Sequence, residues 1–216
     1  MGTAHGVEMR GSIGGIILAG GSGSRMNYQD KPLLTLGSRR IIDFIISSAF
    51  TQVDELILNV NRHPERFLDL GLPIVIDEYA STAGPLAGVL AGITWYRRHR
   101  SDIGFLASFP GDTPWFPDTI VSLMQYKMQQ DGSDVAWLCT QGQLQPLFSV
   151  WSFAVADRIA IALAQGVYSP MAFIRSQSNT LVKIDDYPLG HFDNINNPEE
   201  LQRARNLARH LEQKGS

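Results

Sequence analysis

The sequence predicts an α/β domain, and three features predict it. From Ile13 onward short apolar runs alternate with longer amphipathic segments, the pattern of strands alternating with helices. Several of the apolar runs give way abruptly to polar, glycine-containing stretches, as strand ends in an open parallel sheet do. No Pro/Ser-rich linker, internal repeat or block of charge divides the chain. Residues 13–214 therefore read as a single domain, and the polar, glycine-rich stretch 1–12 as a flexible N-terminal extension.

Taken in order, Ile16–Leu18 is the first expected strand. The apolar spacing of Ile41, Ile42, Phe44, Ile45, Ile46 and Ala49 predicts a helix over 40–52. Strands are expected at 56–60 and 74–76, with a short helix at 65–70 between them. Pro85 sits well in a first helical turn, so a helix is expected from Gly84 to about Arg98. A buried strand at 105–109 is broken by Pro110-Gly111-Asp112-Thr113-Pro114. A helix follows over 118–130 with Asp118 as its N-cap. Later strands are expected at 134–139 and 147–151, joined by the polar connection Thr140–Pro146. Helices at 159–164 and 171–176, a strand at 181–184 and a terminal helix at 198–213 complete the chain. Asn197, with Glu200 three positions on, forms a capping-box-like start for that last helix.

Composition narrows the function classes. The 216 residues suffice for a full core, and a net charge of −3 gives no general attraction to nucleic acid or to an anionic membrane. An anionic ligand must then be held by a local cluster of cations. The single cysteine, Cys139, excludes an intrachain disulfide and a multi-cysteine metal site. No apolar run approaches the roughly 20 residues of a membrane span, and 1–12 lack the apolar core of a secretory signal. A cytoplasmic protein is the expectation. There is no G-x-S-x-G elbow, and the five histidines are scattered without metal-ligand spacing.

Ligands of open parallel sheets sit at the carboxyl ends of the strands, where 19–31, 59–63, 77–88 and 110–114 would converge. The first of these, Ala19-Gly20-Gly21-Ser22-Gly23-Ser24-Arg25, has few bulky side chains and lets backbone N–H groups approach an anion, with Arg25 and Lys31 in reach. It is neither a Walker A loop, since no Gly-Lys-Ser/Thr follows, nor a dinucleotide fingerprint, since Met26 stands where the third glycine belongs. Read alone, it is equally an ordinary tight turn with two solvated cations. Asp112, opposite such a cradle, suits Mg²⁺, which takes one or two carboxylates together with phosphate oxygens and water; its alternative is a turn or helix cap. Asp77 is either a hydrogen-bond acceptor for a base or sugar, a member of the metal site, or a solvated strand end. Asn194 and Asn196 flank Ile195 and can share one face, which the cap at Asn197 does not explain.

Together these stretches resemble a known family. Leu18-Ala19-Gly20-Gly21-x-x-x-Arg25-Met26-x-x-x-Asp30-Lys31 is similar to the signature of the nucleotidyltransferases. The ordered set Asn59-x-Asn61-Arg62, Asp77, Gly84-Pro85-Leu86-Ala87-Gly88, Pro110-x-Asp112-Thr113-Pro114 and Asn194-Ile195-Asn196-x-Pro198 resembles the molybdenum cofactor guanylyltransferases, the MobA family. The resemblance implies a three-layer α/β/α, Rossmann-like (GT-A-like) fold with a mostly parallel mixed sheet. It implies transfer of GMP from Mg·GTP to molybdopterin-bound molybdenum, releasing pyrophosphate. Leu18, Ala19, Gly20 and Gly21 would contact the nucleotide, with Asn59 and Asp77 helping to bind it. Arg25 and Lys31 would neutralise phosphates, and Asp112 would hold Mg²⁺. Asn194, Asn196 and Gln145 would lie at the acceptor end. Asp30 before Lys31 is similar to the guanylyl rather than the cytidylyl enzymes. GTP and the molybdopterin cofactor are the implied partners, with transient contacts to other cofactor-biosynthesis or acceptor proteins and none to nucleic acid or membrane. A CTP-using or sugar-phosphate relative is the enzymatic alternative, and a nucleotide-sensing or cofactor-delivery protein the non-enzymatic one.

Overall fold

A computed structural model describes residues 12–20, 30–78 and 84–214. Its seven-stranded sheet is built from β1 (Ser12–Leu18), β4 (Glu55–Asn59), β5 (Ile74–Val75), β6 (Ile103–Pro110), β7 (Val135–Thr140), β8 (Gln143–Ser152) and β9 (Asn179–Ile184). They lie in the order β5-β4-β1-β6-β8-β7-β9. Only β8 runs against its neighbours, β6 and β7; every other pairing is parallel. The sheet is the mixed, mostly parallel one expected. A two-residue hairpin, β2 (Thr35–Leu36) with β3 (Arg39–Arg40), stands apart from it and was not foreseen.

Both faces of the sheet are covered, which is why β1 and β4 read as nearly continuous apolar runs. The period-2 alternation sends Ile17, Leu58, Ala107 and Phe109 into one core, beneath α1 (Ile41–Phe50), α3 (Ile120–Asp131) and α6 (Pro198–Lys214). It sends Ile16, Leu18, Ile57 and Leu106 into the other, beneath α2 (Gly84–His99), α4 (Ala156–Ala164) and α5 (Pro170–Arg175). The buried Tyr96 hydroxyl anchors α2 with its one proton shared between the carbonyls of Glu55 (2.8 Å) and Gly15 (3.0 Å), tying the helix to β4 and β1.

Three expectations are corrected. The connection Thr140–Pro146 is not a loop: β7 and β8 form a tight hairpin whose two turn residues, Gln141 (φ 47°) and Gly142 (φ 80°), are both left-handed. That is the backbone demanded by a two-residue primed turn, but Gln-Gly lacks the Asn or Asp that usually announces one. Asp118 does not cap α3. Thr119 occupies the cap position in a helical conformation without a side-chain bond, and the Val121 N–H donates instead to Gln52 Oε1 (3.1 Å) from just beyond α1. Finally, β1 begins at Ser12, one residue inside the expected extension. The cap of α6 is as expected: Glu200 N–H donates to Asn197 Oδ1 (2.9 Å). The Glu200 carboxylate turns back to accept from the Asn196 N–H (2.6 Å) rather than from that of Asn197.

Candidate active site

The carboxyl ends of β1, β4, β5 and β6 lie side by side, and the register brings Leu18 beside both Asn59 and Pro110. Backbone bonds carry the alignment past the strands. The Ala19 N–H donates to the Asn59 carbonyl (2.9 Å), and the Gly111 N–H to the Leu18 carbonyl (3.0 Å). A Cβ at Gly111 would lie 2.9 Å from both Ala19 Cα and the Leu18 carbonyl oxygen, so only glycine lets the turn after β6 cross the end of β1 this closely. β8 pairs with β6 only over Phe105–Ser108, which leaves Pro110 beyond that ladder. The turn after β6 thus carries Asp112 past the end of β1 at Leu18 and Ala19.

On the β4–β5 side, Asn59 is buried and its Nδ2 donates to the Val75 carbonyl (3.1 Å). Asn61 and Asp77 bond reciprocally: Asn61 Nδ2 donates to the Asp77 carboxylate, and the Asp77 N–H to Asn61 Oδ1 (3.2 Å). Gly20 faces this group, since a Cβ on it would stand 3.0 Å from Asn61 Nδ2 and 3.5 Å from Asn59 Oδ1. Leu18, Ala19, Gly20, Asn59 and Asp77, expected together, are together.

The other side centres on Lys31, the first residue of a 3₁₀ turn, Lys31–Leu33, in which Pro32 occupies an early position that tolerates its missing N–H. Its Nζ donates to Asn196 Oδ1 (2.8 Å) and stands 3.9 Å from Asp112 Oδ2. Asn196 reaches Lys31 because 192–196 form a strap along the β6 turn: the Phe192 N–H donates to the Trp115 carbonyl and the Ile195 N–H to the Asp112 carbonyl, each at 2.9 Å. Burial pushes the Asp112 carboxyl above its ordinary range, opposed by the Lys31 charge. A carboxylate that burial disfavours, next to a crevice, is suited to a divalent cation that would neutralise it. Among the described residues no three His, Cys, Asp or Glu side chains cluster as a metal site.

Three participants were missed. Thr113 is fully buried and its hydroxyl donates to Asn194 Oδ1 (2.5 Å). Arg66, in the 3₁₀ segment Pro64–Leu70, holds the Asp30 carboxylate. Glu200 fixes the backbone of Asn196 as described. Arg66 left no sequence signal; Thr113 stood beside Asp112, and Glu200 was visible in the capping-box-like pattern but not as the partner of the Asn196 N–H. Gln145 lies within β8 and its amide donates to Thr140 Oγ1 (3.1 Å); among the described residues no hydrogen bond joins it to Lys31, Asp112 or the two asparagines. Gly21 and Arg25 lie outside the described residues.

The family pattern of the MobA-like NTP transferase domain matches residues 15–180. The chain belongs to this family. It is 34% identical over 195 residues to a molybdenum cofactor guanylyltransferase of Rhodopseudomonas palustris strain BisB5, covering 89% of this chain and 92% of that one. It is 36% identical over 195 residues to one from Cereibacter sphaeroides, covering 90% and 96% respectively. Among solved structures, molybdopterin-guanine dinucleotide biosynthesis protein A from Archaeoglobus fulgidus superposes with a TM-score of 0.75 at 18% identity, over 91% of this chain and 99% of that one. A CMP-2-keto-3-deoxy-manno-octonic acid synthetase superposes with a TM-score of 0.71 at 11% identity, over 93% and 99%. The fold is the Rossmann-like one of nucleotidyltransferases, and the family makes this chain a nucleotidyltransferase. No helix among the described residues is long and apolar enough to cross a membrane.

Proposed function

We propose that the chain transfers GMP from Mg·GTP to the terminal phosphate of molybdenum–molybdopterin, forming the guanine dinucleotide cofactor and pyrophosphate. One observation carries the reading. The Lys31 ammonium joins Asp112, on the expected nucleotide side, to Asn196, on the expected acceptor side. Relatives named molybdenum cofactor guanylyltransferase, at 34–36% identity over about nine-tenths of the chain, support the choice of substrates.

In this reading the acceptor's phosphate monoester oxygen attacks the α-phosphorus of GTP in line. One P–O bond forms, and the bond to the pyrophosphate oxygen breaks. A phosphate monoester is already ionised near neutral pH, so the chain needs no general base and its work is alignment and charge stabilisation. Leu18, Ala19 and Gly20, with Gly21, line the nucleotide; Asn59 and Asp77 bind it further in. Lys31, with Arg25, offsets charge on the transferring and leaving phosphates. Asp112 would hold Mg²⁺, which when bound supplies charge neutralisation at the phosphates. Asn194 and Asn196, with Gln145, face the acceptor. Asp30, whose carboxylate Arg66 holds, is the position whose likeness to the guanylyl enzymes favours guanine. The test is turnover with molybdopterin as acceptor and GTP, CTP, UTP or ATP as donor. Pyrophosphate release with GTP alone among them is expected; a preference for CTP, or binding without turnover, refutes the proposal. Full activity in Asp112→Ala would refute the metal assignment.

A further inference from the structure

The hydrogen-bond polarity of the strap points to a role for Thr113. An ammonium can only donate, so the Lys31 contact at 2.8 Å fixes the Asn196 amide with its oxygen inward. The Thr113 contact with Asn194, at 2.5 Å, falls in the range of O–H···O rather than N–H···O bonds. The hydroxyl therefore donates, and Asn194 also turns its oxygen inward. Thr113 has a single hydroxyl proton, and its other neighbour, Asp112 Oδ1, is farther away at 3.4 Å. Thr113 is fully buried whereas Asn194 is exposed, so the fixed partner is the threonine and the oriented one the asparagine.

We infer that Thr113 is a positioning residue that sets Asn194, in parallel with Asn196, to present amide N–H donors toward an oxygen-rich, anionic acceptor group. This rests on the reading of 194–196 as the acceptor end. Two amides that cannot turn their oxygens outward supply a donor-only surface. Such a surface recognises phosphate or carbonyl oxygens and rejects N–H-bearing groups. It also supplies, without further cations, polar partners for the acceptor's phosphate.

The test separates donor from acceptor kinetics. Thr113→Val removes the hydroxyl at nearly constant volume, and Thr113→Ser keeps it. Thr113→Val should raise KM for molybdopterin about tenfold, the worth of one oriented hydrogen bond, with KM for GTP changed less than about twofold. Thr113→Ser should restore the acceptor KM. An unchanged acceptor KM in Thr113→Val, or an equal rise in both KM values, overturns the inference. Asn194→Asp, at an exposed position, keeps the shape and replaces donors by a charge. It should weaken acceptor binding more than Asn194→Ala does, and an equal or smaller effect also overturns it. If the parent protein fails to transfer GMP to molybdopterin, the proposed reaction falls, but Thr113 is still tested without ligand. The Asn194 side-chain nitrogen–proton resonances, assigned by their loss in Asn194→Asp, should shift in Thr113→Val and not in Thr113→Ser. Unshifted resonances in Thr113→Val overturn the positioning role.

Discussion

Gly88→Ala sets two known effects against each other at the proposed nucleotide side of the crevice. Gly88 lies within α2, where alanine in place of glycine favours the helix by about 1 kcal/mol. The added Cβ would stand 2.5 Å from Asn59 Oδ1 and 2.7 Å from Leu18 Cδ2. The leucine methyl can rotate aside. Asn59 is buried and tied to the Val75 carbonyl, so it yields only by breaking that bond or by α2 lifting from the sheet. Overpacking of this kind costs about 1–3 kcal/mol, and the lost hydrogen bond about 1 kcal/mol more. The clash outweighs the propensity gain by about 1–3 kcal/mol. For a chain of this length that lowers Tm by about 2–12 °C. Because the yielding residue is Asn59, KM for GTP should rise as well. Gly104→Ala is the control: its Cβ would meet nothing within 4 Å, so Tm should not fall. Calorimetric Tm and steady-state GTP kinetics of both variants check this. A Gly88→Ala protein as stable as the parent, with unchanged KM for GTP, would refute the reasoning.

Three further outcomes are expected. Burial raises the Asp112 carboxyl above its unfolded value, so the native state binds that proton more tightly. Stability from this group is greatest below the unfolded value and declines as pH rises to the folded one. At neutral pH Asp112→Asn should therefore raise Tm in the absence of metal while cutting turnover about a hundredfold or more, read by thermal scans and pyrophosphate release. Lys31→Ala removes the charge that pulls Asp112 down; turnover should fall about a hundredfold, and the acid limb of the residual pH profile should move to higher pH. Asn197→Ala deletes the cap on the Glu200 N–H and should cost about 0.5–2 kcal/mol in denaturant unfolding.

Much of the fold was legible because burial on both faces of a parallel sheet leaves apolar runs too distinct to mistake, as at Ile16–Leu18 and Leu56–Leu58. What escaped was set by contacts rather than by pattern. The start of β8 is polar, Gln143-Leu144-Gln145, and becomes a strand because β7 supplies a partner across a Gln-Gly turn. The cap of α3 comes from Gln52, 69 residues before the N–H it satisfies, so Asp118 looked like the cap for want of that contact. In the site, strand-end convergence foretold that Lys31 and Asp112 would meet. The contacts that hold the residues around them, Thr113 to Asn194 and Arg66 to Asp30, come from ordinary residues whose roles exist only in three dimensions.

The two halves of the site share one anchor, and this has a consequence for transfer chemistry. The proposed nucleotide half is fixed to the β6 turn through the Gly111 bond to Leu18, and the proposed acceptor half through the Ile195 bond to Asp112 and the Thr113 bond to Asn194. Residues 111–113 thus hold both, and Lys31 closes the circuit to Asn196 across 165 residues of sequence. In-line displacement rewards mutual alignment of nucleophile and leaving group, and small misplacements are costly. A common anchor makes a shift of the β6 turn carry donor and acceptor subsites together, preserving their relative geometry. A shift of the strap alone, as when its cap or the Thr113 bond is lost, changes that geometry directly. Changes in the strap should therefore be felt in the acceptor's kinetics before they are felt in nucleotide binding.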